Sequence, residues 1–164
     1  MIKKRKAIFL DRDGVLNKRK SDYVKSIDEL MIFPNIGKSI KKFNDNNFLV
    51  VVITNQSAIN RGLATFQNIH KIHHKIEDEI FKSGAVIDKF YICPHRPNEF
   101  CECRKPKSGM LLKAISELKI DPKSSWMIGD SDTDIIAGKH VGCNTIKIEN
   151  YVNLEIATKM IFKT

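Results

Sequence analysis

Short apolar runs alternate with amphipathic stretches along this chain, and the alternation predicts a repeating order of strands and helices. Ala7 to Leu10 is continuously apolar and predicts a buried strand. Ile36, Ile40 and Phe43, spaced by four and three, predict a helix that stops in Asn44-Asp45-Asn46-Asn47. Phe48 to Ile53 is β-branched and uninterrupted, as a central parallel strand buried on both faces would be. Beyond it, Thr65 is placed to cap a helix whose apolar stripe is Phe66, Ile69, Ile72, Ile76 and Ile80, and Gly84 ends it. Ile87 to Ile92 predicts a third strand. Ser108 to Leu118 predicts a helix that turns Met110, Leu111, Ala114, Ile115 and Leu118 inward, and Asp121-Pro122 predicts a turn. Ser125 to Ile128 and Asn144 to Ile148 predict a fourth and fifth strand, joined by a helix through Ile135, Ile136 and Val141 that leads to Gly142. A last helix is expected from about Asn153, and Trp126, Met127 and Cys143 read as core residues.

This order predicts an α/β protein with a Rossmann-like, three-layer arrangement around a central, mostly parallel sheet. In such a sheet the C-terminal strand ends share one edge, where ligands bind. The polar stretch from Lys18 to Asp28 lacks periodicity and reads as a loop lying over those ends. Too little chain separates Gly14 from Thr54, and Thr54 from Lys105, for a large cap domain.

The residues at that edge are chemically related. Asp11 and Asp13 follow the first strand, and the period-two geometry of strands turns both carboxylates the same way. Two such groups repel unless a cation lies between them. On its own the stretch reads more simply as a solvated Asp-Gly turn. The other strand ends change that reading: Thr54-Asn55-Gln56-Ser57 follows the second strand, Arg104-Lys105 lies beyond the third, and Gly129-Asp130-Ser131-Asp132-Thr133-Asp134 follows the fourth. Carboxylates for Mg²⁺, a hydroxyl and an amide for phosphate oxygens, and a lysine to neutralise charge form a set suited to phosphoryl transfer.

Cys93-x-His95 and Cys101-x-Cys103 supply four soft ligands in one loop, which predicts a closed, structural zinc site over 93–103. No position in that set is left for water, so the zinc is expected to hold together a loop too polar to have its own core. His70 and His74 share a helix face at i and i+4. They lack an intervening carboxylate and, with His73, read as exposed surface histidines rather than ligands.

Composition narrows the partners. The 164 residues, 42% of them hydrophobic, are expected to form one domain over 1–164. A net charge of +9, from 28 Lys plus Arg against 19 Asp plus Glu, favours anionic ligands. The basic residues lack interleaved aromatics, which weighs against nucleic acid. No run approaches the roughly 18 apolar residues of a membrane span, and Met1-Ile2-Lys3-Lys4-Arg5-Lys6 leads into a strand rather than a signal-peptide core. A cytoplasmic monomer is expected, its four cysteines serving as metal ligands or buried thiols rather than disulfides.

Asp11-x-Asp13-Gly14, Thr54-Asn55-Gln56-Ser57, Arg104-Lys105-Pro106 and Gly129-Asp130-x-x-x-Asp134 resemble the four motifs of the haloacid dehalogenase (HAD) superfamily of phosphohydrolases, and the resemblance covers nearly the whole chain. Within it, Leu10 to Asn17 and the cysteine-histidine loop are similar to the D-glycero-D-manno-heptose 1,7-bisphosphate phosphatases and the related histidinol-phosphate phosphatases. The resemblance implies a HAD-like fold and a Mg²⁺-dependent phosphatase in which Asp11 takes the phosphoryl group as an aspartyl-phosphate. Asp13 would protonate the leaving alcohol and then activate water. It implies Mg²⁺ held by Asp11, the main-chain carbonyl of Asp13, and Asp130. Thr54 and Lys105 would bind phosphoryl oxygens, and Asn55, Gln56, Ser57 and Arg104 would contact the substrate. Asp134 would orient the metal's surroundings or cap the following helix.

Two features divide the branches. The stretch from His95 to Cys101 is shorter than in many heptose bisphosphate phosphatases and resembles the histidinol-phosphate type. Asp22-Tyr23-Val24 and Asn55-Gln56-Ser57-x-x-x-Arg61-Gly62 look like the heptose branch, and no fused dehydratase domain is expected. Val15 stands where a threonine is often found. The preferred expectation is removal of the 7-phosphate from heptose 1,7-bisphosphate, with histidinol phosphate as the alternative. A polynucleotide 3′-phosphatase and a zinc-stapled nucleic-acid-binding module are more distant readings.

Overall fold

The computed structural model describes residues 4–150 and 153–163; Met1, Ile2 and Lys3 of the basic N-terminal run lie outside the described residues. The strands are β1 (Lys6–Leu10), β2 (Phe48–Asn55), β3 (Lys89–Cys93), β4 (Trp126–Gly129) and β5 (Asn144–Lys147). The helices are α1 (Ile36–Asp45), α2 (Phe66–Phe81), α3 (Gly109–Leu118), α4 (Asp132–His140) and α5 (Leu154–Phe162). All strand pairs are parallel, in the order β3-β2-β1-β4-β5. The first strand in sequence is therefore the central one, and Ala7, Ile8, Phe9 and Leu10 are fully buried.

Alternation along the strands builds two apolar layers. Ile8, Leu10, Val50 and Val52 pack beneath α1, α2 and α5, while Ala7, Phe9, Leu49, Val51 and Ile53 pack against α3 and α4. The expected three-layer α/β architecture is present. Thr65 caps α2 as its sequence position suggests: its Oγ1 accepts from Asn68 N at 3.1 Å, and Asn68 Oδ1 accepts from Thr65 N at 3.0 Å.

Several boundaries differ from the sequence reading. β2 runs on to Asn55, so Thr54 and Asn55 belong to the strand. β3 starts at Lys89 rather than Ile87, because the Asp88 side chain occupies a ladder position and accepts from Val50 N at 2.8 Å. α4 starts earlier than the apolar residues suggest, because Ser131 caps it through Thr133 N at 3.1 Å. Trp126 is only partly buried.

The histidines of α2 require a correction. His70 and His74 are exposed, and His74 Nδ1 lies 3.0 Å from Glu77 Oε2, but His73 is buried. Its ring stacks on Phe90, with centroids 4.2 Å apart and planes at 14°. Stripe counting missed it because imidazole reads as polar whichever way it faces. Burial, then the charge of Arg12, pulls the His73 ring down from the usual 6.5 to about 3. The unfolded chain takes up this proton near pH 6.5, whereas the folded chain refuses it until about pH 3, so stability is present above that window and lost as pH falls through it. The loss attributable to His73 is on the order of 5 kcal/mol across the window. Urea midpoints measured between about pH 7 and about pH 4 are expected to fall more steeply for the wild type than for His73→Phe.

Among the described residues no helix is long and apolar enough to cross a membrane.

Candidate active site

The C-terminal ends of β1 and β4 place their carboxylates side by side. Asp11 N donates to Ile128 O at 3.0 Å, extending the β1–β4 ladder one residue past β1. Lys105 Nζ, almost fully buried, lies 3.0 Å from Asp11 Oδ1 and 2.5 Å from Asp134 Oδ1, and donates to Ile53 O at 2.7 Å. Asp134 Oδ2 accepts from Ser131 N at 3.1 Å, so this residue closes the α4 cap while facing Lys105. Carboxylate oxygens of Asp11, Asp130 and Asp134 all fall within 4.8 Å of one another.

Two glycines make that crowding possible. A Cβ at Gly14, whose φ is +88°, would sit 2.0 Å from Asp130 Oδ2, and one at Gly129 would sit 2.2 Å from Asp134 Oδ2.

The electrostatics call for a cation. Burial pushes Asp11 up to about 7, with Lys105 opposing and Asp134 and Asp13 adding to the rise. Burial also raises Asp130. For Lys105, burial is outweighed by the Asp11 and Asp134 carboxylates, which raise its pKa and keep it charged. Three carboxylates converging on one point form a hard-oxygen set that fits Mg²⁺. Asp134 belongs to this set more directly than its sequence position suggests. The Asp13 side chain does not belong to it.

Asp13 is engaged elsewhere. Its carboxylate accepts from Arg12 Nη2 at 3.0 Å, Asn17 Nδ2 at 2.8 Å and Gln56 Nε2 at 2.9 Å. Burial alone would raise it, but these donors together hold it below the usual carboxylate range. Gln56 also donates to Thr54 Oγ1 at 2.8 Å and is buried, so it ties Asp13 to Thr54 rather than facing substrate. Thr54 is likewise fully buried.

Asn55 fixes the segment carrying Lys105: its Oδ1 accepts from Lys105 N at 3.1 Å and its Nδ2 donates to Lys105 O at 3.2 Å. Ser57 Oγ lies 3.5 Å from the Tyr23 hydroxyl. Arg104 Nη1 donates to His95 O at 3.1 Å, linking the site to the cysteine loop.

Asp11, Asp13, Asn55, Ser57, Arg104 and Lys105 line one cleft of about 550 Å³. Arg19, Lys20, Tyr23 and Arg61 complete its rim, and Arg19 reaches Asp130 Oδ1 at 2.9 Å. The sequence reading places the Lys18 to Asp28 loop over this edge and takes Tyr23 and Arg61 only as marks of the heptose branch. It does not single out Arg19 and Lys20, because basic residues in an aperiodic loop look like any solvated surface. A larger hollow of about 1040 Å³ lies at the opposite end of the sheet, near Lys4, Lys6 and Lys41. It holds none of the grouped carboxylates.

Cys93, His95, Cys101 and Cys103 converge as their spacing predicts. The cysteine sulfurs are 3.1, 3.6 and 3.7 Å apart, and His95 Nδ1 lies 3.4 Å from Cys93 Sγ and 3.2 Å from Cys103 Sγ. Ligand atoms sharing one tetrahedral zinc stand roughly 3.4–3.8 Å apart. Three of the five separations here match and two that involve Cys103, at 3.1 and 3.2 Å, are shorter, so three thiols and an imidazole form a set of the kind that ion takes once Cys103 moves outward slightly. Arg104 N donates to Cys101 Sγ at 3.3 Å.

Fold and site together define a phosphohydrolase of the HAD class. The HAD-hydrolase-like family model matches residues 102–152. The chain is 40% identical to the D-glycero-beta-D-manno-heptose-1,7-bisphosphate 7-phosphatase of Haemophilus ducreyi, over 86% of this chain and 81% of that one. It is 42% identical to the D-glycero-alpha-D-manno-heptose-1,7-bisphosphate 7-phosphatase of Campylobacter jejuni, over 90% and 84% respectively. The structure superposes on the D,D-heptose 1,7-bisphosphate phosphatase from B. bronchiseptica, crystallised with magnesium and phosphate, with a TM-score of 0.87 at 29% identity, covering 96% of this chain and 98% of that one. The chain belongs to the heptose-1,7-bisphosphate 7-phosphatase family of HAD-like hydrolases.

Proposed function

We propose that this protein removes the 7-phosphate from a D-glycero-D-manno-heptose 1,7-bisphosphate. The observation that carries this reading is the distribution of cations about the cleft: Lys105 is buried beside Asp11, and Arg19, Lys20, Arg61 and Arg104 line it farther out. A substrate with a phosphate at each end matches that arrangement, and the names of the relatives agree with it.

Asp11 attacks phosphorus and carries the phosphoryl group as an aspartyl-phosphate while the sugar alcohol leaves. Asp13 gives the leaving oxygen its proton, then takes one from the water that hydrolyses the intermediate. Its depressed pKa keeps it ionised and so able to accept a proton in the second role, and an approaching phosphate dianion raises it for the first. Lys105 neutralises the phosphoryl oxygens, and Thr54, held by Gln56, orients the turn that receives them. Asn55, Ser57 and Arg104 face the rest of the substrate. Mg²⁺, held by Asp11, Asp130 and the main chain of Asp13 with Asp134 adjacent, would offset the charge gathered at the transferred group. Zinc at Cys93, His95, Cys101 and Cys103 is structural. The reading is of a cytoplasmic, single-domain monomer, in a compartment where its thiols stay reduced.

Phosphate release should be measured across both anomers of heptose 1,7-bisphosphate, histidinol phosphate, other sugar phosphates and 3′-phosphorylated oligonucleotides. The highest kcat/KM is expected for a heptose bisphosphate, with the 1-phosphate left in place. Faster turnover of histidinol phosphate or of an oligonucleotide would replace the substrate. Testing both anomers matters because the relatives' names include each.

A further inference from the structure

Among the described residues, several buried polar atoms around the turn after β1 have no hydrogen-bond partner. The alternation Ile8, Leu10, Arg12 carries the Arg12 side chain into the layer under α1 and α2, where it is fully buried. Two of its three guanidinium nitrogens, Nε and Nη2, are spent on Asp13 Oδ1 at 3.3 and 3.0 Å, and Nη1 has no partner. Asn17 uses Nδ2 on Asp13 Oδ1 and on Lys18 O, and its buried Oδ1 has no partner. Neither ring nitrogen of the buried His73 has one.

The sheet register puts the histidine at the same height, two strands across: Phe90, on which His73 stacks, is aligned with Val52, and Val52 with Leu10, at the level of the residue just before Asp11. The long Arg12 side chain spans toward it, and the Arg12 charge acts on the ring. Buried polar atoms are normally satisfied by protein or by ordered water. These are complementary: Arg12 Nη1 brings two hydrogens, Asn17 Oδ1 accepts, and an imidazole with one proton brings a donor and an acceptor. A water that accepts from Nη1 and donates to Asn17 Oδ1 and a His73 ring nitrogen makes three bonds, the usual number for a buried water.

We propose that His73 is a positioning residue for Asp13: with Asn17 Oδ1 it shares one buried water with Arg12 Nη1, and this fixes the guanidinium plane that holds the Asp13 carboxylate. The low pKa of the ring is consistent with this arrangement, since a protonated His73 would offer that water no lone pair. The inference rests on Asp13 serving as the acid and base of the proposed phosphatase. Its alternative is that His73 only fills the core against Phe90.

The two roles separate by leaving group. With Mg²⁺-loaded protein, kcat/KM should be compared for p-nitrophenyl phosphate, whose phenolate departs without a proton, and for the sugar phosphate turned over fastest in the screen above. For His73→Phe, a fall of about tenfold is expected on the sugar phosphate, with less than about twofold on the nitrophenyl ester. His73→Gln, which can still bond the water, is expected to recover most of the loss. An equal fall on both esters, or no fall on either, would overturn the proposal. Electron density in a high-resolution crystal of the wild type provides a test that needs no variant to fold: a water bonded to Arg12 Nη1 and a His73 ring nitrogen is expected, and its absence refutes the inference. A wild type that hydrolyses neither ester counts against the phosphatase reading, and the density then decides the role of His73.

Discussion

Asp11→Asn is expected to abolish phosphate release while leaving the fold intact. The amide is nearly isosteric but cannot form an acyl-phosphate, and removing a covalent nucleophile costs on the order of 10⁴-fold or more. Asp11 also supplies one of three grouped carboxylates and an oxygen 3.0 Å from Lys105 Nζ, so magnesium affinity should fall as well. Stability should move the other way. Burial raises the folded-state pKa of Asp11 from 3.8 to about 7, so its ionisation disfavours the fold as pH rises through that range. In chelator at about pH 7.5, Asp11→Asn is therefore expected to melt at or above the wild-type temperature. Phosphate release and parallel thermal scans check both halves. An active variant would end the aspartyl-phosphate mechanism, and a strongly destabilised one would remove the electrostatic account.

Cys101→Ser is expected to lose bound zinc and thermal stability together. The loop between β3 and α3 has little core of its own: Phe100 is 85% exposed, and its backbone φ of +50° is one a phenylalanine adopts only under constraint. Metal–ligand bonds would supply what apolar burial does not, contributing directly to folding free energy. Loss of several kcal/mol in a chain this size corresponds to a fall in Tm of roughly 10 °C. Activity should fall as well, because Arg104 N donates to Cys101 Sγ and the next residue is Lys105. Elemental analysis for zinc, scanning calorimetry and turnover on one preparation check the prediction. Full zinc occupancy with unchanged melting would remove the structural role.

The strands and the cysteine-histidine cluster were legible because each depends on local pattern. The run from Phe48 to Ile53 announces a buried central strand, and two Cys-x-ligand pairs in one loop permit little else. The converging aspartates were legible through topology, since parallel strands deliver their C-terminal ends to one edge. Residues whose role depends on which way a polar side chain turns were not. Gln56 reads as a substrate ligand beside Asn55, yet it turns inward to Asp13 and Thr54. His73 reads as surface beside His70, His74 and two lysines but lies in the core. Arg12 sits between two catalytic candidates and gives no sign that it is fully buried, because its burial follows from Asp13 being there to pair with it. Arg19 and Arg61 lie in segments without periodicity, where only the folded loop shows which cation meets the cleft.

The central position of β1 bears on how the enzyme comes into being. During synthesis the strand that carries Asp11 emerges first, yet one of its edges waits for β2 and the other for β4, where Ile8 pairs with Trp126. Until β4 has left the ribosome, β1 presents an open row of amides and carbonyls beside its acidic turn. Such long-range pairing is slow to form. A chain stalled before Gly129 therefore carries Asp11 without the second acidic turn, together with a strand edge free to join another chain, the kind of intermediate that is prone to aggregate.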